Sequence, residues 1–321
     1  MTEALRSTSW VIGRGGLLGR AVSEILQHPA NEWLPKLALR WSSLVEFKDS
    51  ANLAIEEFRR YVQAENLTWN IYWCAGVGSI GASRELLDSE IEKVTYFVER
   101  VESIFCGTGA RGKVFFASSA GGLYGACQDD PISETSSISP NSMYGEMKLK
   151  SESLFERLES SIGCRVIIGR ISTIYGVGQN LSKQQGLITT ASLSILRHRP
   201  LEIFVPLETS RNYIHVADAA LIATNLVDSA NHSAPSGPLR KIICSPRSLS
   251  VAHVLRIVTE VFGRRPSISL SRTSSSGAYE REFVLESNVF KQVEPLAFRS
   301  PQIAIAEIRH DLLQRLAAGS I

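Results

Sequence analysis

The chain has 321 residues, of which 44% are hydrophobic and 21% charged, a composition that is typical of globular proteins and excludes an intrinsically disordered chain. Its 34 Lys and Arg nearly balance its 32 Asp and Glu, which excludes the basic surface that gives generic affinity for nucleic acid. No run of about 18 apolar residues predicts a membrane span, and the N-terminus lacks the order of a signal peptide. The five cysteines are scattered, so we expect reduced thiols, no metal site and a cytoplasmic location.

Short apolar runs alternate with longer amphipathic segments along the first half of the chain, which predicts an α/β fold. Strands are expected at 10–12, 37–39, 71–74, 113–117 and 165–168, and helices at 17–27, 85–105 and 142–160. Strands joined through helices require crossover connections, so we expect a Rossmann-type, doubly wound parallel sheet. The serine-rich segment 267–277 is typical of a mobile surface loop.

A glycine-rich turn separates the first predicted strand from the first predicted helix. Glycines permit a tight turn and let a pyrophosphate approach the backbone, while the following helix offers free N–H groups to the phosphates. Because the turn lies in the first strand–helix unit, it predicts a dinucleotide site rather than a purely structural turn. The expected cofactor contacts in this turn are Gly13, Arg14, Gly15, Gly16, Leu17, Leu18 and Gly19.

The segment after the second predicted strand bears on which dinucleotide binds. An NAD site usually has an acidic residue there, which accepts hydrogen bonds from the adenine ribose. This chain has Arg40 instead, and no Asp or Glu between Glu32 and Glu46. Arg40 and Arg14 are suited to a 2′-phosphate, so the sequence favours NADP, with NAD as the alternative if both arginines are simply solvated.

Tyr144 and Lys148 are four residues apart in a predicted helix and therefore lie on one face of it. A nearby ammonium stabilises a phenolate, which lets a tyrosine exchange protons near neutral pH. An exposed tyrosine–lysine pair is the ordinary alternative. Ser118 and Ser119 favour the functional interpretation, because they follow a predicted strand at the sheet edge where such folds bind ligands.

Five motifs occur in one order along nearly the whole chain. They are the glycine turn, Ser-Ser-Ala-Gly-Gly-Leu-Tyr-Gly at 118–125, Pro140-x-x-x-Tyr144-Gly145-x-x-Lys148, Arg-Ile-Ser-Thr-Ile-Tyr-Gly at 170–176 and Arg-Asn-Tyr-Ile-His-Val-Ala-Asp at 211–218. With these motifs the chain resembles the extended short-chain dehydrogenase/reductase family, in its nucleotide-sugar epimerase/dehydratase branch. Within that branch it is similar to UDP-galactose 4-epimerase and to GDP-fucose synthase.

The resemblance implies roles for particular residues of these motifs. Tyr144 would move the proton, Lys148 would bind the nicotinamide ribose and assist Tyr144, and Ser119 would orient the reacting oxygen. Further cofactor contacts would come from Cys74, Ala75, Gly76, Ser118, Tyr144, Lys148 and Ile171. Substrate contacts would come from Ser119, Ala120, Tyr144, Thr173 and Arg211, of which the arginine would bind the substrate diphosphate. His215 and Asp218 would be structural.

The resemblance also implies the organisation of the chain. A dinucleotide-binding Rossmann domain would cover 1–178 and about 210–249, and a smaller C-terminal substrate-binding lobe would cover 179–209 and 250–321. A homodimer would form through the helices near 85–105 and 142–160. The first of these helices has more apolar residues than one sheet-facing stripe needs, namely Leu86, Ile91, Val94, Val98, Val101 and Phe105.

Four departures from the family pattern bear on which reaction and which residues are expected. Ala120 and Gly121 stand where 4,6-dehydratases have an Asp-Glu pair, which disfavours dehydration because water elimination needs that extra acid and base. No cysteine lies in 118–125, where C3/C5 epimerisation would need one, and Thr173 replaces a common sugar-contacting asparagine. Ala120 also occupies a usual hydroxyl position, which gives that role to Ser119 and leaves Ser118 open.

These observations predict an NAD(P)-dependent oxidoreductase or epimerase that transfers hydride at a sugar carbon, expected to be C4, of a nucleotide-sugar. A 4-ketoreductase is favoured, and a UDP-sugar 4-epimerase with tightly bound NAD is the alternative. A non-catalytic dinucleotide sensor on the same fold would not need Tyr144, Lys148 and Ser119. A neutral carbonyl substrate would leave Arg211 without an anionic partner.

Overall fold

The computed structural model describes residues 6–26, 31–76, 79, 81–107, 112–181, 186–230, 237–270 and 283–321. The strands are β1 (Ser7–Ile12), β2 (Thr68–Trp73), β3 (Gly112–Ser119), β4 (Arg165–Ile171), β5 (Thr173–Tyr175), β6 (Leu201–Ile203), β7 (Ser210–His215), β8 (Leu239–Ile243), β9 (Ser248–Ser250) and β10 (Ile268–Leu270). The α-helices are α1 (Leu17–Leu26), α2 (Leu44–Ala64), α3 (Arg84–Phe105), α4 (Ala120–Leu123), α5 (Met143–Ile162), α6 (Leu187–Leu196), α7 (Val216–Ser229), α8 (Val251–Phe262) and α9 (Pro301–Ala317). A 3₁₀ helix covers Lys291–Val293.

Five strands form the central sheet in the order β1-β2-β3-β4-β8, and every neighbouring pair is parallel. Helices cover both of its faces: α2, α3 and α5 bury one hydrophobic cluster, and α1 and α7 bury another. Successive strand residues go to opposite clusters, as Tyr72 and Trp73 do in β2 and Phe115 and Phe116 do in β3. Strands that are apolar on both faces are typical of a covered parallel sheet. The sheet confirms the predicted α/β, Rossmann-type fold.

The strand predicted at 37–39 is wrong. These residues have no regular secondary structure, and Leu37 is exposed. The outer edge of β1 is instead contacted by a single parallel bridge between Ser9 and Glu32, with the Trp33 N–H donating to the Ser9 carbonyl at 2.7 Å. The chain leaves the sheet after this one bridge at Pro35, which has no N–H to donate to the β1 edge, and residues 36–38 that follow are exposed.

A third hydrophobic cluster joins α6, α8 and α9 and lies in the part of the chain predicted to form the smaller lobe. Two small sheets accompany it, β6 with β10 and β5 with β7 and β9. The prediction of a loop over the whole of 267–277 is wrong at 268–270, which pair with β6 as β10, and its remainder from 271 lies outside the described residues. The exact division of the chain into two lobes stays a prediction.

The apolar side chains of α3 are used inside the chain. Ile91, Val94, Val98, Val101 and Phe105 are all buried against α2, α5 and the sheet. Of the six residues expected to form a dimer surface, Leu86 alone is exposed, with 41% of its surface accessible. The surplus of apolar surface expected on this helix is therefore wrong, and the homodimer stays a prediction without that support.

Three further properties hold for the described ranges. No helix there is both long and apolar enough to cross a membrane. No group of three or more His, Cys, Asp or Glu is arranged there to hold a metal ion. All five cysteines are free of disulfide bonds.

Candidate active site

The glycine turn between β1 and α1 is held in shape by close backbone contacts. Gly13 has a φ of +89°, and a Cβ atom on it would collide with the backbone of Ala75 in the loop after β2. A Cβ on Gly19 would collide with the Gly13 carbonyl. Glycine is therefore required at both positions, since any side chain would push α1 away from β1 or separate the two loops.

The same turn is open to solvent where a phosphate would approach. Arg14, Gly15 and Gly16 are exposed, and a Cβ on Gly15 would meet nothing within 4 Å. The N-terminus of α1 follows directly, so its free N–H groups and partial positive charge lie beside the exposed backbone. This geometry fits a dinucleotide pyrophosphate.

The two arginines predicted to bind a 2′-phosphate each lie near a carboxylate. The Arg14 Nε atom is 3.3 Å from the Glu32 Oε1 atom, and the Arg40 Nη1 atom is 3.8 Å from the Glu46 Oε1 atom. The side chains of Arg40 and Glu46 are 51% and 42% exposed, so their attraction is weak and screened by solvent. A bound phosphate would have to replace these carboxylates as the partner of the arginines.

Tyr144 and Lys148 lie in the first turns of α5, as the sequence predicts. Ser142 caps this helix, because its Oγ atom accepts a hydrogen bond from the Gly145 N–H at 3.2 Å. Cβ atoms on Gly122 and Gly145 would crowd the Tyr144 ring and the Gly122 carbonyl, so α4 and α5 touch through glycines. This contact sets the half-buried Tyr144 ring against the short helix that follows β3.

The Lys148 ammonium is buried next to Tyr144. Its Nζ atom is 5.8 Å from the centroid of the Tyr144 ring and 5.2 Å from that of Phe116, a distance that permits a cation–π contact. The carboxylate of Glu90, on α3, provides the opposite charge, with 3.6 Å between the Glu90 Oε1 atom and Nζ. Glu90 was not among the predicted site residues. A charged residue among the apolar positions of α3 was the signal that could have identified it.

The two serines at the end of β3 have different surroundings. Ser118 is buried and donates a hydrogen bond of 2.6 Å to Glu152, so its hydroxyl belongs to a buried network with Arg170. Ser119 is half-buried and caps α4, with its Oγ atom accepting from the Gly122 N–H at 3.2 Å. The Ser119 hydroxyl keeps a donor hydrogen and lies beside the glycine that touches Tyr144, whereas the donor of Ser118 is already committed.

The loop after β2 runs along the same edge of the sheet. Burial raises the pKa of the Cys74 thiol to about 12, so this thiol is neutral and not a nucleophile. Ala75 contacts the glycine turn, and Gly76 lies next to Lys148, where a Cβ atom would be 3.5 Å from Nζ. The structure therefore brings together the glycine turn, this loop and Lys148.

The predicted substrate contacts lie on several elements. Ala120 is buried in α4, and Ile171, a predicted cofactor contact, is buried at the end of β4 opposite Ser119. Thr173 is exposed on β5, which pairs with β7. Arg211 is half-buried on β7, and its Nη1 atom donates to the Ser210 carbonyl at 2.8 Å. Thr173 and Arg211 thus belong to one small sheet beside the main one.

His215 and Asp218 make contacts that hold elements together. The His215 Nδ1 atom accepts from the Ala217 N–H at 3.2 Å and caps α7, and burial lowers the pKa of this imidazole to about 4. The Asp218 carboxylate accepts from the Arg299 N–H at 2.9 Å. Both residues line a cavity of about 290 Å³ whose walls do not include Tyr144 or Lys148.

Known proteins share sequence similarity with this chain. The model of the NAD dependent epimerase/dehydratase family matches residues 10–236. A dTDP-4-dehydro-6-deoxyglucose reductase of Escherichia coli is 34% identical over 106 residues, which are 33% of each chain. The Bacillus subtilis protein described as the uncharacterized UDP-glucose epimerase YtcB is 28% identical over 166 residues, 50% of this chain and 48% of that one. The chain therefore spans a third to a half of the length of these curated relatives.

Solved structures share the fold over nearly the full chain. A UDP-glucose 4-epimerase of Thermotoga maritima with UDP-glucose superposes with a TM-score of 0.75 at 17% identity, covering 97% of this chain and 100% of that one. RMD from Pseudomonas aeruginosa, complexed with NADPH, gives a TM-score of 0.74 at 16% identity, covering 97% and 100%. MoeE5 in complex with UDP-glucose and NAD gives 0.73 at 19% identity, covering 97% and 99%. At such identities the likeness shows the fold.

Proposed function

This chain belongs to the NAD-dependent epimerase/dehydratase family, and from that premise we propose that it is an NAD(P)-dependent oxidoreductase acting at C4 of a nucleotide-sugar. The observation that carries the proposal is that Tyr144 lies between Lys148 and Gly122, the residue whose N–H bonds to Ser119. Lys148 in turn lies next to Gly76, in the loop whose Ala75 meets the glycine turn. A module that only sensed dinucleotides would have no use for a buried lysine beside a tyrosine ring.

Three residues of the chain have distinct roles in the proposed reaction. When bound, the dinucleotide supplies or accepts a hydride at its nicotinamide ring. Tyr144 gives its hydroxyl proton to the sugar oxygen during reduction and takes a proton from it during oxidation. Ser119 donates a hydrogen bond to the same oxygen and fixes its direction. The Lys148 ammonium stabilises the phenolate form of Tyr144.

The small sheet of β5, β7 and β9 is proposed to bind the rest of the substrate. Arg211 has a guanidinium suited to the two negative charges of a diphosphate, and Thr173 lies on the neighbouring strand. A sugar held from this side would present a ring carbon to the nicotinamide and its oxygen to Tyr144 and Ser119. The proposal assigns no nucleotide or sugar beyond that class.

Reduction of a 4-keto sugar with NADPH is the first candidate reaction. Arg40 stands where an NAD site has an acidic residue, and the E. coli relative is a dTDP-4-dehydro-6-deoxyglucose reductase. Epimerisation at C4 with retained NAD is the second candidate, favoured by the carboxylates that already lie beside Arg14 and Arg40. Native mass spectrometry separates the two, because an epimerase retains its dinucleotide through purification and a reductase exchanges it each turnover.

The test is turnover of a panel of UDP-, GDP- and dTDP-sugars, including 4-keto sugars, followed by nicotinamide absorbance and product stereochemistry. Tyr144→Phe removes only the hydroxyl, and we expect turnover to fall by about 10²–10⁴-fold with cofactor affinity nearly unchanged. Tyr96→Phe is the matched control, because Tyr96 is also half-buried beside a lysine, with Lys48 Nζ 5.3 Å from its ring centroid. Full activity of Tyr144→Phe on any substrate that turns over would refute the mechanism.

A further inference from the structure

Glu90 places a negative charge on the buried face of α3. The neighbouring positions on this face, Leu87, Ile91 and Val94, are buried and apolar, and Glu90 itself is 8% exposed. A carboxylate in such surroundings is costly unless an opposite charge accompanies it. The charge is supplied by Lys148 of α5, whose Nζ atom lies 3.6 Å from the Glu90 Oε1 atom.

This ion pair lies against the loop that follows β2. A Cβ atom on Gly76 would be 3.1 Å from the Glu90 Oε1 atom and 3.5 Å from the Lys148 Nζ atom. Gly76 is itself exposed. Glycine at this position therefore leaves free the space next to both charged atoms, at the loop proposed to lie along the cofactor.

We propose that Glu90 is a positioning residue of the active site, which holds the Lys148 ammonium between this loop and the Tyr144 ring and offsets part of its charge. The proposal rests on the proposed function and extends it. A lone ammonium would favour the phenolate form of Tyr144 more strongly than an ammonium that shares its field with a carboxylate. Glu90 therefore moves the pH range of proton transfer upward from where Lys148 alone would set it.

Among the described residues, the carboxylate that forms an ion pair with Lys148 is that of Glu90. The buried Glu152 carboxylate lies one turn farther along α5 and is bonded to Arg170 and Ser118 instead. From β3 the neighbour is the Phe116 ring, and from the loop after β2 it is Cys74, whose pKa burial raises to about 12 and which is therefore neutral. On the side of α2, Lys48 lies over Tyr96, and Glu56 pairs with Arg100 at 2.7 Å, both farther along α3.

A stability cycle tests the pair without any substrate. Lys148→Met leaves the Glu90 carboxylate buried without its cation, so the melting temperature should fall. Adding Glu90→Gln to that variant removes the stranded charge and should raise the melting temperature again, by about 2–4 °C. In the unmutated background, Glu90→Gln should lower it. This reversal of sign is expected only if the two side chains interact.

The pH dependence of turnover tests the role in proton transfer. For Glu90→Gln we expect the pH profile of kcat/KM to move to lower pH by on the order of one pH unit, in the oxidation direction and in the reduction direction alike. Glu90→Asp keeps the charge and should retain the original position of the profile. Glu92→Gln makes the same charge change at an exposed position of α3 and should also leave the profile unmoved.

The outcomes separate this proposal from the proposed function. Additive melting temperatures would overturn the pairing of Glu90 with Lys148. A reversal of sign together with a profile of Glu90→Gln that matches that of Glu92→Gln would overturn the role in proton transfer. If no nucleotide-sugar is turned over by the unmutated chain while the sign reverses, the proposed function fails, the role of Glu90 in proton transfer fails with it, and the ion pair stands.

Discussion

Helix α5 contributes to two buried ion pairs one turn apart, and the two are built differently. Glu152 meets Arg170 of β4 through two hydrogen bonds of 3.1 and 2.8 Å, and both side chains are at most 3% exposed. The same carboxylate accepts from Ser118 at 2.6 Å, and Arg170 donates to the Tyr124 hydroxyl at 2.6 Å. Every charged atom of this network has a close partner within the fold.

The pair one turn earlier is looser. The 3.6 Å between Lys148 and Glu90 exceeds the roughly 2.7–2.9 Å of a charge-assisted hydrogen bond, and the other neighbours of the ammonium are the rings of Phe116 and Tyr144. An ammonium has three N–H donors, and rings satisfy them only weakly. The two pairs therefore differ in the completeness of their bonding: the Glu152 network is fully bonded within the fold, whereas the Lys148 pair leaves donors that, under the proposed function, would serve a bound molecule.

Breaking the complete pair should have the largest effect on stability. Glu152→Gln leaves the Arg170 guanidinium buried with its charge uncompensated, and we expect a loss of about 3–5 kcal/mol in the free energy of unfolding, measured by urea denaturation. Glu102→Gln is the matched control. It breaks an equally bidentate pair with Arg157, at 2.8 and 2.7 Å, whose arginine side chain is 44% exposed.

The control should cost no more than about 1 kcal/mol, because solvent screens the exposed pair and hydrates the freed arginine. Equal losses in the two variants would show that burial and completeness do not set the worth of these pairs. The comparison between the two pairs of α5 would then lose its energetic basis.

His215 extends the comparison to a buried group that is neutral. Burial, with a contribution from Arg299, lowers its pKa from 6.5 to about 4. The unfolded chain therefore binds a proton between pH 6.5 and 4 that the folded chain does not, so stability should fall as the pH drops through this window. We expect a loss on the order of 1–2 kcal/mol between pH 7 and 5.

The measurement is the free energy of unfolding at several pH values for the unmutated chain and for His215→Asn. Asparagine keeps an acceptor for the Ala217 N–H at the start of α7 but does not titrate. The variant should lack this component of the pH dependence. If both proteins lose stability equally on acidification, His215 is not the group responsible.

The sequence predicts those helices and strands whose signal lies within their own residues. Helices α1, α3 and α5 and the strands β1 to β4 follow from apolar periodicity and glycine positions, and Tyr144 and Lys148 share a helix face at the predicted spacing. Helix α2 also has a local signal in the sequence. Ser43 caps it, Glu46 follows three residues later, and Phe47, Ala51, Ile55, Phe58 and Val62 recur on one buried face.

Features that depend on contacts between residues far apart in the chain could not be predicted from such local signals. The pairing of Ser118 with Glu152 and Arg170 joins residues up to 52 positions apart, and alternation along β3 alone does not say which serine is free. The partner of Glu90 lies on another helix. Residues 37–39 are strand-like in composition, but in the structure they pair with no strand.

The smallest effect is expected for Arg40, whose pair with Glu46 is exposed and loose, in contrast to the buried pairs of α5. Arg40 lies 3.8 Å from Glu46 with both side chains about half exposed, so a 2′-phosphate can take the place of this carboxylate at little cost. We expect NADPH to bind more tightly than NADH. Arg40→Asp should narrow or reverse that preference by roughly tenfold, the value of one charge-assisted contact.

Dissociation constants for both cofactors, measured by fluorescence titration at fixed salt, test this expectation. Arg60→Asp makes the same charge change at an exposed position of α2 and should weaken both cofactors equally, if at all. Glu46→Gln should strengthen NADPH binding selectively, because it removes the carboxylate that competes for Arg40. Equal affinities of the unmutated chain for NADPH and NADH would reject Arg40 as the residue that selects the cofactor, and would shift the proposed reaction toward the epimerase with retained NAD.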